Sequence, residues 1–244
     1  MDYSIAVNKI MDILGIVREP VAVKLVHNED ELNNMNLDSY DAETKCRYCQ
    51  AIMRASKGEK VILGANNFAC AAGVAAFGIK SLHPKIASGE AHYNVGTFGT
   101  QEAAHKIMSD MPRLPLGDYA FVIITPLSTC EFQPYIVLLE AAPENLMWLA
   151  LASIYMTGER LQFSTSVVQA TCVDSTVVPF ITGKPNSTLG CTGCREATDL
   201  ELTENMMGIP FNHFQTVVNN LTNMEDIIRK NREKNVYKNF TKAR

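Results

Sequence analysis

Seven cysteines, at positions 46, 49, 70, 130, 172, 191 and 194, constrain this chain more than any other feature of its sequence. Roughly 0.17 pairs spaced three apart are expected by chance among that many cysteines, yet two occur, Cys46-x-x-Cys49 and Cys191-x-x-Cys194. Zinc ribbons separate such pairs by ~15 to 20 residues; here 141 intervene. A local zinc knuckle is therefore excluded, and if the sulfurs act together the fold must bring distant segments to one point. Twenty and 18 residues intervene between Cys70 and Cys172 and their nearer pairs. This gives two matching groups, Cys46/Cys49/Cys70 and Cys172/Cys191/Cys194, and six sulfurs are expected to line one pocket.

An odd cysteine count argues against a disulfide framework. The first twenty residues carry Asp2, Lys9 and Asp12 among their apolar positions, so no secretion signal is expected. The apolar window 135–155 is broken by Glu140, Pro143, Glu144 and Asn145, short of the ~20 residues a membrane span needs. A cytoplasmic protein with no membrane association is the expectation. With 244 residues, 47% apolar and 20% charged, the chain belongs to the soluble globular class and can bury a core without a staple. Its net charge of −4 offers no general attraction to nucleic acid.

Apolar periodicity predicts a helix over 3–14 stopped by Gly15, then a β-branched alternating strand over 21–26. An acidic, Asn-rich loop over 27–43 leads to a helix over 44–56, a strand over 60–63 and a small-residue helix over 69–77. A helix over 101–111, strands over 119–125 and 135–139, and a helix over 143–157 follow. Beyond Gly158 the pattern gives a strand over 160–163, a Ser/Thr-rich segment around Cys172, a β-branched run over 176–181 and a loop over 183–195. Helices over 200–207 and 214–235 close the chain, the last running into a basic tail over 229–244. Without repeats or linkers, the economical reading is a single α+β domain across 1–244, a mixed sheet of short strands packed by helices.

Among chemistries open to the thiols, local context favours an iron–sulfur cluster over zinc. Cys70 falls in the first turn of a helix, where free N–H groups favour a thiolate and an anionic cluster. Gly190 and Gly193 allow the backbone to approach bridging sulfides, and Lys184 and Arg195 are placed to offset negative charge. Cys130, in an apolar approach to a strand, reads as core. A thioredoxin-like dithiol fits Cys46/Cys49 poorly, after an acidic loop, and Cys191/Cys194 little better, with no strong helix following. The five histidines show no zinc-hydrolase spacing, and Gly96-Thr97-Phe98-Gly99 reads as a turn.

Arg18-Glu19-Pro20-Val21-Ala22-Val23, Cys49 with Ala55 and Gly58, Cys70 with Gly73 and Gly78, Cys172, Gly183-Lys184-Pro185-Asn186-Ser187 and Gly190-Cys191-Thr192-Gly193-Cys194-Arg195 recur in that order. The arrangement resembles the uncharacterised family catalogued as domain of unknown function 169, widespread in archaea and anaerobic bacteria, over nearly the whole chain. The resemblance implies recurring cysteines without an assigned activity. Its quartet Cys49, Cys70, Cys172 and Cys191 would suit a four-iron (4Fe–4S) cluster, with Cys46 and Cys194 as extra ligands or adjacent thiols. The expected function is electron transfer or redox work with an unknown redox partner, in a chain that could form a homo-oligomer. The alternatives are structural zinc in a small-molecule binding module and a thiol-dependent enzyme.

Overall fold

The computed structural model describes residues 3–35 and 37–232. Helix α1 (Tyr3–Leu14) leads into β1 (Val21–Val26), α2 (Glu29–Asn33), α3 (Tyr48–Ala55), β2 (Val61–Gly64) and α4 (Ala71–Ala76). Short helices α5 (Pro84–Ala87), α6 (Glu90–Asn94) and α7 (Gln101–Ser109) precede β3 (Phe121–Pro126), β4 (Ile136–Ala141) and α8 (Pro143–Ile154). A π-helix (Ala170–Val177) continues into α9 (Val178–Thr182), followed by β5 (Asn186–Thr188), α10 (Thr192–Ala197), β6 (Asn205–Pro210), α11 (Phe211–Asn223) and α12 (Glu225–Arg232).

The six strands form one sheet in the order β2-β3-β1-β4-β6-β5. The α+β class is as expected. All pairings between these strands are antiparallel. The parallel component expected of a mixed sheet is confined to isolated bridges, Asp41 with Val61 and Cys46 with Phe68.

Alternation along β1 divides the molecule into two layers, since successive strand side chains point to opposite faces. Val21, Val23 and Leu25 pack with Tyr48, Ile52, Phe77, Cys172 and Val173 beneath α3, α4 and the π-helix. Ala22 faces the other way, into a core built with Ile10, Ile13, Leu149, Phe214 and Leu221 from α1, α8 and α11. The second layer is apolar scaffold. The first carries the cysteine-rich segments.

Several sequence expectations give way, among them the loops over 27–43 and 183–195, which hold α2, and β5 with the start of α10. Residues 160–163 form no strand. The β-branched run over 176–181 is helical, because Ser175 and Thr176 hydroxyls both donate to the Thr171 carbonyl at 2.9 Å, and Tyr48 meets Thr176 at 3.0 Å. A short buried apolar run does not reveal its period, so tertiary bonding decides. Residues 200–207, read as helix from Leu and Met, end in strand β6, which lies between β4 and β5 and ends at Pro210. Of the basic tail, Arg229 pairs with Asp12 and Glu225 at 2.8 Å each; residues 233–244 lie outside the described residues.

Gly208 on β6 is where the π-helix presses on the sheet. A Cβ there would run into the Ser175 carbonyl oxygen and meet the Pro179 ring at 3.0 Å. Gly208→Ala is therefore expected to cost about 2 kcal/mol or more, read from urea unfolding; a variant as stable as wild type would mean that the contact relaxes freely.

One buried charge lies at the edge of the cysteine layer. Glu140, 6% exposed on β4, has one carboxylate oxygen without a hydrogen bond, and Arg18 stands 3.8 Å away. Burial pushes the carboxyl up to about 7, and Arg18 only partly offsets it. A raised carboxyl contributes stability that is complete below its unfolded value near 4 and is lost as pH climbs through 7. Glu140→Gln should therefore match wild type near pH 4 and exceed it near pH 9 by on the order of 3 kcal/mol. Parallel pH profiles in denaturant unfolding would contradict this.

Candidate functional site

Four separated segments converge on one pocket of about 550 Å³, whose lining includes Cys49, Cys70, Cys172, Cys191 and Cys194. Cys49 lies in the first turn of α3, and Cys70 caps α4, its sulfur accepting from the Gly73 N–H at 3.4 Å. Cys172 lies in the π-helix, and Cys191 caps α10. The small residues of α4 serve close packing: a Cβ on Gly73 would touch the Phe68 ring at 3.0 Å. Phe68 in turn belongs to an aromatic group with Phe77, 5.9 Å away, and Tyr48, 6.4 Å away.

Cys46 is the expected site residue that does not join the pocket lining. It is 6% exposed in the core, and its main chain exchanges hydrogen bonds with Asn67 and Ala69 in the extended stretch facing Phe68. Sequence spacing puts Cys46 and Cys49 on one helix face, but the helix begins only at Tyr48, after an extended Arg47. The first Cys-x-x-Cys therefore splits.

The second Cys-x-x-Cys holds together as a reciprocal cap. Cys194 Sγ accepts from the Cys191 N–H and donates to the Cys191 carbonyl, each at 3.0 Å. The helix judged weak after this motif is α10, with strand β5 just ahead of it, so the segment is closer to a strand–thiol–helix arrangement than its sequence suggests. Arg195 does not serve the pocket. Its guanidinium donates to the carbonyls of Leu189, Glu201 and Glu204 and ties the loop after α10 to β6. Lys184 is not among the lining residues, and Cys130 is buried in the opposite layer with its thiol donating to Phe132 O at 3.1 Å.

The segment 164–169, which sequence alone leaves featureless, forms one wall. Val167 and Gln169 hold φ of 51° and 58°, values rare for residues with a β-carbon and rarer for a branched one. Asp174 fastens this strap, accepting from Thr165 Oγ1 at 2.7 Å, Thr188 Oγ1 at 2.9 Å and Val167 N at 3.3 Å. Asn186 adds bonds to both main-chain groups of Ser164 at 2.8 Å. His92, Val95 and Thr97 line the cavity from α6 and the turn after it. The Gly-flanked turn over 96–99, assigned no role from sequence, thus contributes to the pocket.

The thiols sense one another. Burial pushes Cys49 up to about 12, with the charges of Cys191 and Cys70 adding to the effect. Cys172 is raised by burial and by Cys70, Cys191 and Cys49. Cys191 moves the other way, down to about 6, through the Cys194 thiol beside it and the N–H groups of Ala170, Cys194 and Gln169. Cys194 is raised by the same partnership. As the side chains stand, no three His, Cys, Asp or Glu residues among those described are grouped to hold a metal ion. A single tetrahedral ion would need sulfurs roughly 4 Å apart, given Zn–S bonds of ~2.3 Å. In a multi-iron cluster each thiolate binds its own iron, and the ligands stand further apart.

A family model described as uncharacterised ArCR, domain of unknown function 169, matches residues 9–220. The chain belongs to that family. The ArCR match takes in all seven cysteines. An uncharacterized protein of Methanocaldococcus jannaschii is 27% identical over 212 residues, covering 86% of this chain and 89% of its own. No solved structure matches this ArCR chain. Among its described residues no helix is long and apolar enough to cross a membrane, and all seven cysteines are free thiols.

In the reduced, metal-free protein at pH 7, a small alkylating reagent is expected to modify Cys191 at least tenfold faster than Cys49, because only thiolates react. The Cys191 rate should rise with pH through about 6. Peptide mass spectrometry reads the order, and Cys49 or Cys172 reacting first would refute it.

Proposed function

We propose that the pocket holds an iron–sulfur cluster, ligated by Cys49, Cys70, Cys172 and Cys191, and that the protein acts in redox or electron-transfer chemistry in a reducing cytoplasm. The carrying observation is that thiols from four chain segments, none of them in a disulfide, line one cavity of about 550 Å³. Soft thiolates are the donors such clusters take, and main-chain N–H groups close to a sulfur are a lever on cluster potential. The N–H groups of Gln169 and Ala170 at Cys191 are such groups. Cys194 supports the Cys191 main chain, and Cys46 stays in the core. Structural zinc has less support, since among the described residues no three candidate ligands are gathered around one point.

A second reading rests on a separate observation. Cys191 is the thiol held down to about 6, it is partly exposed in the pocket, and it opens a helix with Cys194 buried behind it. That asymmetry suits a thiol-dependent enzyme using Cys191 as nucleophile.

Purification without oxygen decides between them. The expected result is a brown protein with iron and acid-labile sulfide in equal amounts, and Cys70→Ser or Cys172→Ser should lose most of both while Cys46→Ser keeps them. A colourless chain that resists reconstitution with iron and sulfide would end the cluster reading and leave the nucleophile.

A further inference from the structure

Gln169 hydrogen-bonds two of the four sulfurs assigned to the cluster. Its side-chain Oε1 accepts from Cys70 Sγ at 3.4 Å and from Cys172 Sγ at 3.5 Å. Its carbonyl accepts from Cys172 Sγ at 3.3 Å, and its N–H is among the groups that lower the Cys191 thiol. The residue reaches both because its backbone is left-handed, with φ 58° and ψ 36°, immediately before the π-helix. Strain of this kind persists only where the surroundings over-determine it. Here the Asp174 and Asn186 bonds to residues 164–167 do so.

We propose that Gln169 is the positioning residue of the thiol site: its amide oxygen holds the metal-free thiols together, and its amide turns over to donate to the same sulfurs once they are ligated. The proposal rests on the cluster reading. A thiol carries one hydrogen to donate; that of Cys70 is directed to the amide oxygen, and that of Cys172 is shared between the same oxygen and the Gln169 carbonyl. A ligated sulfur has lost that hydrogen as a proton, so the oxygen would face two electron-rich atoms with nothing between them. The amide carries two N–H donors at nearly the same position, and a half-turn of its terminal torsion brings them round without moving the backbone. Donors to cluster sulfurs raise the reduction potential. An amide therefore serves both states, whereas a carboxylate in its place serves only the metal-free one.

Two variants test this. Asn tolerates left-handed backbone, so Gln169→Asn keeps the strap and withdraws the amide, while Gln169→Glu keeps the reach but only accepts. In the reconstituted protein both should lower the midpoint potential, and Gln169→Glu should shorten the half-life of the cluster at least fivefold. In the metal-free protein, iodoacetamide should modify Cys70 at least threefold faster in Gln169→Asn than in wild type and no faster in Gln169→Glu, with Cys46 and Cys130 unchanged. If wild type takes up iron and sulfide but Gln169→Asn keeps its potential, the role of Gln169 falls and the cluster stands. If wild type takes up no iron, the cluster reading falls, and the turnover of the amide with it. Equal Cys70 alkylation rates in wild type and Gln169→Asn would overturn the metal-free half of the proposal.

Discussion

The buried carboxylate of Asp174 is the joint on which the cysteine layer depends. At 2% exposure it pairs with no cation among the described residues and is satisfied by hydroxyls from Thr165 and Thr188 and by main-chain N–H groups of the 164–167 strap. Burying such a group without partners would cost several kcal/mol or force it to take up a proton, and burial does push this carboxyl upward. The partners come from two places in the chain, so meeting the demand of one side chain fixes the strap and β5 relative to the π-helix that carries Asp174. Asn186 repeats the device with its amide, bonding Ser164 and the Asp174 carbonyl. The left-handed residues of the strap are held against their preference by this polar frame.

The two faces of the sheet divide the work. The layer of α1, α8 and α11 is an apolar core whose role is burial, and its contribution comes from area removed from water. The opposite layer trades some of that simplicity for chemistry, carrying polar Thr171, Asp174, Ser175 and Thr176 inside the π-helix, where Ser175 and Thr176 bond back to Thr171 while Asp174 reaches other segments. π-helical turns recur at functional sites because the extra residue re-aims side chains that a regular helix would space evenly. In this protein that turn holds Cys172 against the pocket. Arg18 completes the frame at the sheet edge, joining Glu204 and Asp199 beyond β6 and standing near Glu140.

Elements that meet their surroundings through a single clear pattern were legible in the sequence. Helix α1 and strand β1 have strong periodicity and clean stops, and their observed bounds agree with the expected ones. Strand β6 was not legible, because Met-Met-Gly-Ile-Pro contains good helix formers and becomes a strand only by pairing with β4 and β5. The split of Cys46 from Cys49 escaped for a related reason: spacing of three implies a shared face only if both residues are helical, and the chain is still extended at Cys46. Gln169 and Asp174 carry no motif at all. A single glutamine in a Ser/Thr-rich stretch reveals nothing until its neighbours in space are known.

The sequence by itself determined the class of fold, the family and the fact that thiols are the unusual chemistry of this chain, since each of these follows from order, spacing and composition. Only the tertiary structure decided which sulfurs meet, which one is turned into the core and which neighbour holds them. Those outcomes depend on distances between segments more than a hundred residues apart, and such distances are set by burial, by strand pairing and by a few buried hydrogen bonds that no local pattern encodes.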